Sequence, residues 1–463
     1  MFGDRLKIDS MIRYYRLLFI AWLITLPFGA KLFPLSLGVL TIYPNLILTL
    51  CCATVIVFTW RQFSRTTYAL LALLFGWLMV FFTFTIVSGL DAYNLFDIRS
   101  LGMQALTACV LIGMAHALTD FWDLMKRGIR LYLFLITTAG VVEFLTGIHF
   151  SGSTTAMFAD LPVGNIFYTP LFIYDNPNDY LLYGLFFGAL LSAIDTRFRS
   201  SMALQSIFIV VFFAFATYAD SRFAKLILII WTVKLLVPVC INYRLDLFKR
   251  FRWYGLGVVL LGVVAFLQPL FLGPKYGDGK GYRLNAIQQL DTIKGQVVVQ
   301  PLKTQLNKAE QRQLILALDS ANTNNPSAAT NLRKNLIYIG VEMARKAPVL
   351  GVGPGGFRRE LSKQKDRYFV GEHQTPHNAV IELVAQYGVF GWLYVVTVVF
   401  YALAFMRIAI KQRSTEAGTW VFFCALIPIF WMMPSAYLYL DLHWILLPIL
   451  HLGYQTRTSV KQV

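Results

Sequence analysis

The chain has 463 residues, of which 57% are hydrophobic and 14% charged, against about 25% charged in a soluble domain. With a mean hydropathy of +0.59, that composition excludes a soluble globular protein. The formal net charge of +17 then has to be explained by membrane topology or by an anionic ligand, and no nucleic-acid partner is expected.

Apolar runs long enough to cross a bilayer, about 17–25 residues each, recur along the chain. They predict an all-α polytopic membrane protein of about twelve spans at 17–35, 41–60, 68–87, 98–118, 129–146, 178–194, 202–219, 222–241, 253–272, 377–406, 417–434 and 436–454. The first is interrupted by Pro27, Lys31 and Pro34, and its basic flank followed by Phe28-Gly29-Ala30 imitates a signal peptide. With eleven further spans behind it, it reads as an uncleaved signal-anchor. Three regions follow: residues 1–272 with spans one to nine, a long polar segment at 273–376, and residues 377–463 with spans ten to twelve and a tail.

Orientation follows from the distribution of Lys and Arg over short loops. One set of short loops and termini carries twenty basic residues, and the other carries only Lys31, Arg99, Arg222 and Lys225. Both termini are therefore expected in the cytoplasm and 273–376 outside. That outer segment still holds sixteen Lys or Arg against eight acids. The positive-inside rule does not explain it, whereas an anionic substrate or anionic headgroups would.

Within the outer segment, helical periodicity predicts one helix over 301–318. A second runs from Asn331 to Ala347, with Leu332, Leu336, Ile339 and Met343 on one stripe. Pro348 stops it, Gly351-Val352-Gly353-Pro354-Gly355-Gly356 makes a tight turn, and Phe357 to Tyr368 is a short basic segment of possible helix. The loop therefore reads as a helical cap rather than a disordered insert. The other long outer segment, 147–177, lacks Lys and Arg; Asn176-Pro177-Asn178-Asp179 at its end opens span six. The five cysteines all fall in spans and suggest small core residues, with neither a disulfide framework nor zinc spacing.

His377 is the leading candidate for chemistry, because it opens span ten at the membrane–water boundary. Thr375 is expected to cap that helix and Pro376 to occupy its first turn. Asn378, Glu382 and Gln386 follow at every fourth residue as one polar stripe that should face a cavity or other helices rather than lipid. Gly388 and Gly391 permit close approach farther down. From the residues alone, His377 reads equally as a general base or as a capping residue in a polar rim. Arg222, with Lys225 one turn deeper, stands out because the short outer loops carry almost no other basic residues; the plain alternative is a snorkelling interfacial arginine. Arg333, near the start of the second loop helix, reads by itself as a solvated charge, and Arg358, Arg359, Lys363, Lys365 and Arg367 as a solvated or headgroup-facing surface. The remaining histidines (His116, His149, His373, His443 and His451) lack a comparable setting. No Asp-x-Asp or outer acidic pair suggests a divalent-metal site, so a bound diphosphate would fall to arginine.

Taken together, these segments resemble the bacterial O-antigen ligase and polymerase superfamily. The resemblance rests on Ala219-Asp220-Ser221-Arg222-Phe223-Ala224; on Arg333 ahead of Pro348-Val349-Leu350-Gly351-Val352-Gly353-Pro354-Gly355; and on His377-Asn378 followed by Gly388-Val389-Phe390-Gly391. It implies a GT-C-type membrane glycosyltransferase of the bacterial inner membrane, with its helical periplasmic cap between spans nine and ten. Such an enzyme moves a glycan from undecaprenyl diphosphate to a hydroxyl acceptor on the periplasmic side, without metal, cofactor or nucleotide sugar. By the same resemblance His377 matches the catalytic histidine, and Arg222 and Arg333 match the diphosphate-binding arginines, with Lys225, Asn378 and Glu382 as supporting residues.

Three acceptors fit: a lipopolysaccharide (lipid A-core) sugar for a ligase, the end of another repeat unit for a polymerase, or a protein hydroxyl for an oligosaccharyltransferase. The lack of arginine in 147–177 favours the ligase, although Arg345 and Gly356 have a spacing seen in polymerase loops. A lipid-linked glycan transporter is the reading from another class. It would call for charged residues deep in several spans, where here only Lys234 and Glu382 approach that description.

Overall fold

The computed structural model describes residues 2–31, 35–37, 40–89, 92–146, 172, 174, 177–219, 221–241, 326–364, 378–412, 415–432 and 442–459. Among them the chain is helical apart from one small hairpin. The helices are α1 (Phe2–Thr25), α2 (Pro44–Ala53), α3 (Val55–Thr59), α4 (Arg65–Ser88), α5 (Ala92–Ala117), α6 (Phe121–Thr146), α7 (Pro177–Ile194), α8 (Thr196–Ser200), α9 (Met202–Tyr218) and α10 (Arg222–Ile241). Farther along the chain come α11 (Pro326–Lys346), α12 (Gly356–Gln364), α13 (Ala379–Tyr387), α14 (Val389–Gln412), α15 (Thr415–Phe430) and α16 (Leu442–Ser459). The span expected at 253–272 and the helix expected over 301–318 lie outside the described residues.

Five of the described helical stretches are long and apolar enough to cross a membrane: Pro44–Gln62, Arg65–Val87, Asp97–Ala117, Phe121–Thr146 and Val389–Lys411. Shorter apolar helices at Asn178–Ile194, Met202–Thr217 and Glu416–Phe430 accompany them. Their outward faces are apolar, as Val57, Phe58, Met79, Val87, Phe134, Leu145 and Ile410 show. A water-soluble protein rarely exposes contiguous apolar surface of this extent; a bilayer matches it. This is a multi-pass membrane protein.

The core is aromatic-rich. Phe405 and Trp420 stack at 4.9 Å between α14 and α15, and Phe81 meets Tyr387 edge-on at 4.8 Å between α4 and α13. Gly184 and Gly188 on α7 admit the rings of Phe212 and Phe208 from α9, where a Cβ would lie 2.2 and 2.4 Å from those rings.

Polar contacts sort the helix ends into two faces. One face holds Arg16–Asp120 at 3.2 Å, Arg130–Asp195, Arg199–Thr419 at 3.4 Å, Arg457–Glu416, and Gln455 against Ser64 at 2.8 Å. At the opposite ends the Phe172 amide donates to Glu143 (2.7 Å), the Tyr174 hydroxyl donates to the Pro27 carbonyl (3.1 Å), and the Gly355 amide donates to Asp97 (2.6 Å). The first face coincides with the loops in which the sequence concentrates its basic residues.

Two expected spans are corrected. The first helix does not occupy 17–35; it runs from Phe2 to Thr25 and passes into a 3-10 turn at Leu26–Lys31. Pro27 lacks the amide that would continue the α-helical ladder. A hairpin follows, in which Leu35–Leu37 pairs with Leu40–Ile42 in antiparallel register. The second correction concerns 377–406, which is not one helix but two, α13 and α14, parted at Gly388.

Candidate functional site

The break at Gly388 organises the site. Gly388 takes φ +54° and ψ −123°, a region that a residue with a Cβ strongly disfavours. A Cβ there would also meet the Val349 carbonyl oxygen at 2.4 Å. Ending a helix leaves its last carbonyls without intrahelical partners, a serious cost where no water reaches. Here the glycine-rich turn supplies the partners. The Val352 amide donates to the Ala385 carbonyl and the Gly353 amide to the Gln386 carbonyl, both at 2.9 Å. In return the Val389 amide donates to the Val349 carbonyl at 3.0 Å. The turn closes directly on α13, and Gly351 has φ +68° with no room for a Cβ beside the Gln386 carbonyl.

The opposite end of α13 is satisfied as fully. Asn378, rather than Thr375, is its N-cap: its Oδ1 accepts from the amides of Val380 and Ile381, each at 3.1 Å. The Ala379 amide donates to the Trp431 carbonyl, just past α15, at 2.9 Å. The helix thus begins two residues after His377, which precedes the cap instead of lying in the first turn. His377 itself is outside the described residues.

The polar stripe faces protein rather than lipid, as expected. Glu382 and Gln386 are buried, and Gln386 Oε1 accepts from the Gly355 amide at 3.1 Å alongside Asp97 Oδ2. One amide therefore ties the glycine turn to α13 and α5 together. Asp97 is a residue that the sequence reading passed over, as are Glu143 and Asp195; all three carboxylates are buried. Each lies near a helix end rather than deep in a span.

The outer-loop helix expected at Asn331–Ala347 forms as α11. Leu336, Ile339 and Met343 are buried and pack with Phe357 and Leu361 of α12 and with Ala385 of α13. The periodicity expected of this stripe is thus realised as a small core over α13. Arg333 lies on the backbone of α11; its side chain is outside the described residues. Arg358 and Arg359 on α12 are half-buried, with their Nε atoms shut from solvent, so neither side chain is fully solvated.

Arg222 and Lys225 occupy the first turn of α10. The turn before it is tight: the Ala219 amide donates to Phe215 and the Ser221 amide to Ala216, both at 2.9 Å, and the Ser221 carbonyl accepts from the Lys225 amide at 3.1 Å. Arg222 is exposed and Lys225 half-buried. Among the described residues Arg222 makes no ion pair or hydrogen bond. A cation at the first position of a 20-residue helix opposes the positive end of the helix dipole. Without an anion, that arrangement is unfavourable. Helix α10 also packs on α15, the helix whose end holds the start of α13. That packing involves Trp231 and Lys234 against Phe422, more than two turns along α10 from Arg222, so it does not itself bring Arg222 and Lys225 to Asn378, Glu382 and Gln386.

No curated protein matches the chain. A family model described as O-Antigen ligase matches residues 184–396, a stretch that encloses Arg222, Lys225, Arg333, His377, Asn378 and Glu382. Over that stretch, a little under half of the chain, the protein is similar to the O-antigen ligase family, in line with the resemblance read from its motifs.

Proposed function

We propose that the protein is an O-antigen ligase-like, inverting glycosyltransferase that moves a glycan from undecaprenyl diphosphate to a hydroxyl of a lipid A-core sugar. The observation that carries this reading is the exposed Arg222 at the start of α10, with Lys225 one turn in. An exposed arginine at a helix N-terminus is the kind of group that suits a diphosphate. Arg333 is assigned as the second diphosphate arginine on its place in the matched family region.

A sugar hydroxyl is too weak an acid for an imidazole of ordinary pKa near 6.5 to ionise beforehand. His377 therefore takes the proton as the acceptor oxygen bonds to C1 of the donor sugar, a contribution of roughly 10²–10⁴-fold. The C1–O bond to phosphate breaks in the same in-line step, inverting the anomeric carbon, and undecaprenyl diphosphate departs with the bonding pair. Negative charge grows on the diphosphate, and Arg222 and Arg333 stabilise it where it grows. Asn378 fixes the helix start beside His377, and Glu382 supports that helix from within. The residues used require neither metal nor cofactor.

The positive-inside distribution puts the basic face in the cytoplasm with both termini, and the reaction at the periplasmic face of the inner membrane, beneath a helical cap built on 273–376. Twelve spans and a GT-C arrangement complete this reading. The test is transfer in vitro from an undecaprenyl-diphosphate-linked glycan to a lipid A-core acceptor by the purified full chain. His377→Ala should lose transfer while remaining folded, and a variant that retained full transfer would refute the assignment. A ladder of lengthened glycans in place of single ligation would make the enzyme a polymerase, and transfer to a protein hydroxyl would make it an oligosaccharyltransferase.

A further inference from the structure

The basic face carries a groove unconnected with the site above. It lies between α14 and α16, encloses about 400 Å³, and is lined by Phe400, Leu403, Ile408, Arg407, Lys411 and Tyr454 among others. Its two halves differ in chemistry. Toward the middle of α14 the wall is apolar and continues into the outward face of the helix, where Phe400, Leu403 and Met406 are exposed. At the end of α14, Arg407 and Lys411 stand one turn apart, both exposed. Among the described residues neither makes an ion pair or hydrogen bond, and the Tyr454 hydroxyl takes no partner. Nearby Arg457 is different, being engaged by Glu416 and lying 5.3 Å over the Trp420 ring.

The geometry points to a binding site for one anionic diacyl phospholipid, whose phosphate lies between Arg407, Lys411 and the Tyr454 hydroxyl and whose acyl chain lies along Phe400 and Leu403. Topology alone accounts for basic residues at the end of a span, and the helix dipole favours them there. Neither accounts for a groove that continues from those charges into lipid-facing apolar surface. A soluble anion would match only the cationic half and an apolar partner only the other. An anionic phospholipid matches both, as do basic pockets between membrane helices generally.

The test titrates the detergent-purified full chain with phosphatidylglycerol and, separately, with phosphatidylethanolamine, counting bound lipid by native mass spectrometry. Wild type should hold one phosphatidylglycerol in clear preference to phosphatidylethanolamine. Each basic residue near an anionic headgroup contributes roughly fivefold to binding, so Arg407→Gln with Lys411→Gln should weaken it about 25-fold. Ala404→Trp, which fills the groove and leaves both charges, should weaken it as well. Arg61→Gln with Arg65→Gln, on the same face but outside the groove, should leave it unchanged. Equal retention of the two lipids overturns the proposal. So does undiminished binding by either groove variant, or an equal loss in the Arg61 and Arg65 control.

Discussion

Gly351→Ala tests whether the glycine turn holds the break in the helix. Gly351 has φ +68°, and an added Cβ would lie 2.4 Å from the carbonyl carbon and oxygen of Gln386 and 2.6 Å from the Tyr387 amide nitrogen. These are backbone atoms, so no side-chain rotation relieves the clash. Left-handed backbone costs a non-glycine residue about 1–2 kcal/mol. Displacing the turn also weakens the bonds from Val352 to Ala385 and from Gly353 to Gln386, at about 0.5–1.5 kcal/mol each. The expected loss is about 2–5 kcal/mol, read as a lower midpoint of thermal unfolding for the full chain in detergent. Gly102→Ala is the control, since nothing lies within 4 Å of a Cβ there; within helix α5 it should be neutral or stabilising by up to about 1 kcal/mol. If Gly351→Ala melted with Gly102→Ala, the turn would not be what holds α13, and the account of the break would fail.

Asn378→Ala removes the acceptor of two amides and should cost about 0.5–2 kcal/mol, with Asn378→Asp retaining most of the stability; parallel melting curves decide it. Arg222→Gln should leave the melting temperature unchanged or slightly raised, because the side chain is exposed and unpaired among the described residues and opposes the helix dipole, yet raise the donor KM in the transfer assay. A stability loss without a change in donor KM would make Arg222 structural. His451 bridges α4 and α14, with Nε2 at 3.0 Å from the Thr67 hydroxyl and Nδ1 at 2.7 Å from the Tyr401 hydroxyl. His451→Leu should therefore cost about 1–3 kcal/mol, chiefly at the Tyr401 hydroxyl, because the Thr67 hydroxyl keeps Ser64 and Gln455; adding Tyr401→Phe should recover part of that loss. Arg130→Met leaves the buried Asp195 carboxylate, 3% exposed, without its cation; it should destabilise the chain by more than Arg16→Met, whose pair with Asp120 is substantially exposed at both ends.

The helices were legible because their signals are local. Apolar runs marked α4 to α6, Asn176-Pro177-Asn178-Asp179 marked the start of α7, and the stripe Leu336-Ile339-Met343 marked α11 and its buried face. What escaped depends on partners distant in sequence. Asp97 finds the Gly355 amide across 258 positions, and nothing around Asp97 announces that bond. The break at Gly388 escaped for the same reason. Apart from Glu382 and Gln386 the stretch from Ala379 to Phe405 is largely apolar, so a window of local sequence reads one helix; the carbonyls that the break exposes are satisfied by amides some thirty residues earlier. Both motifs were visible as glycine clusters, but their mutual fit was not.

That fit bears on why the chain interrupts a helix it could have continued. A continuous helix through 377–406 would need no outside hydrogen bonds at 388, where the broken one needs the glycine turn. The Asn378 cap and the Trp431 carbonyl anchor the start of the helix in addition. Where local rules are broken and compensated from several directions, the compensation holds a geometry that local preference would not produce. The product here is a nine-residue helix, anchored at both ends, with buried polar residues along one side and His377 immediately ahead of its cap. A general base on that anchored start would be fixed by α5, α15 and the outer-loop core together. Loosening any one of them should then lower transfer more than it lowers stability, and Gln386→Ala, which removes one of the two acceptors at the Gly355 amide, is the substitution that separates the two effects.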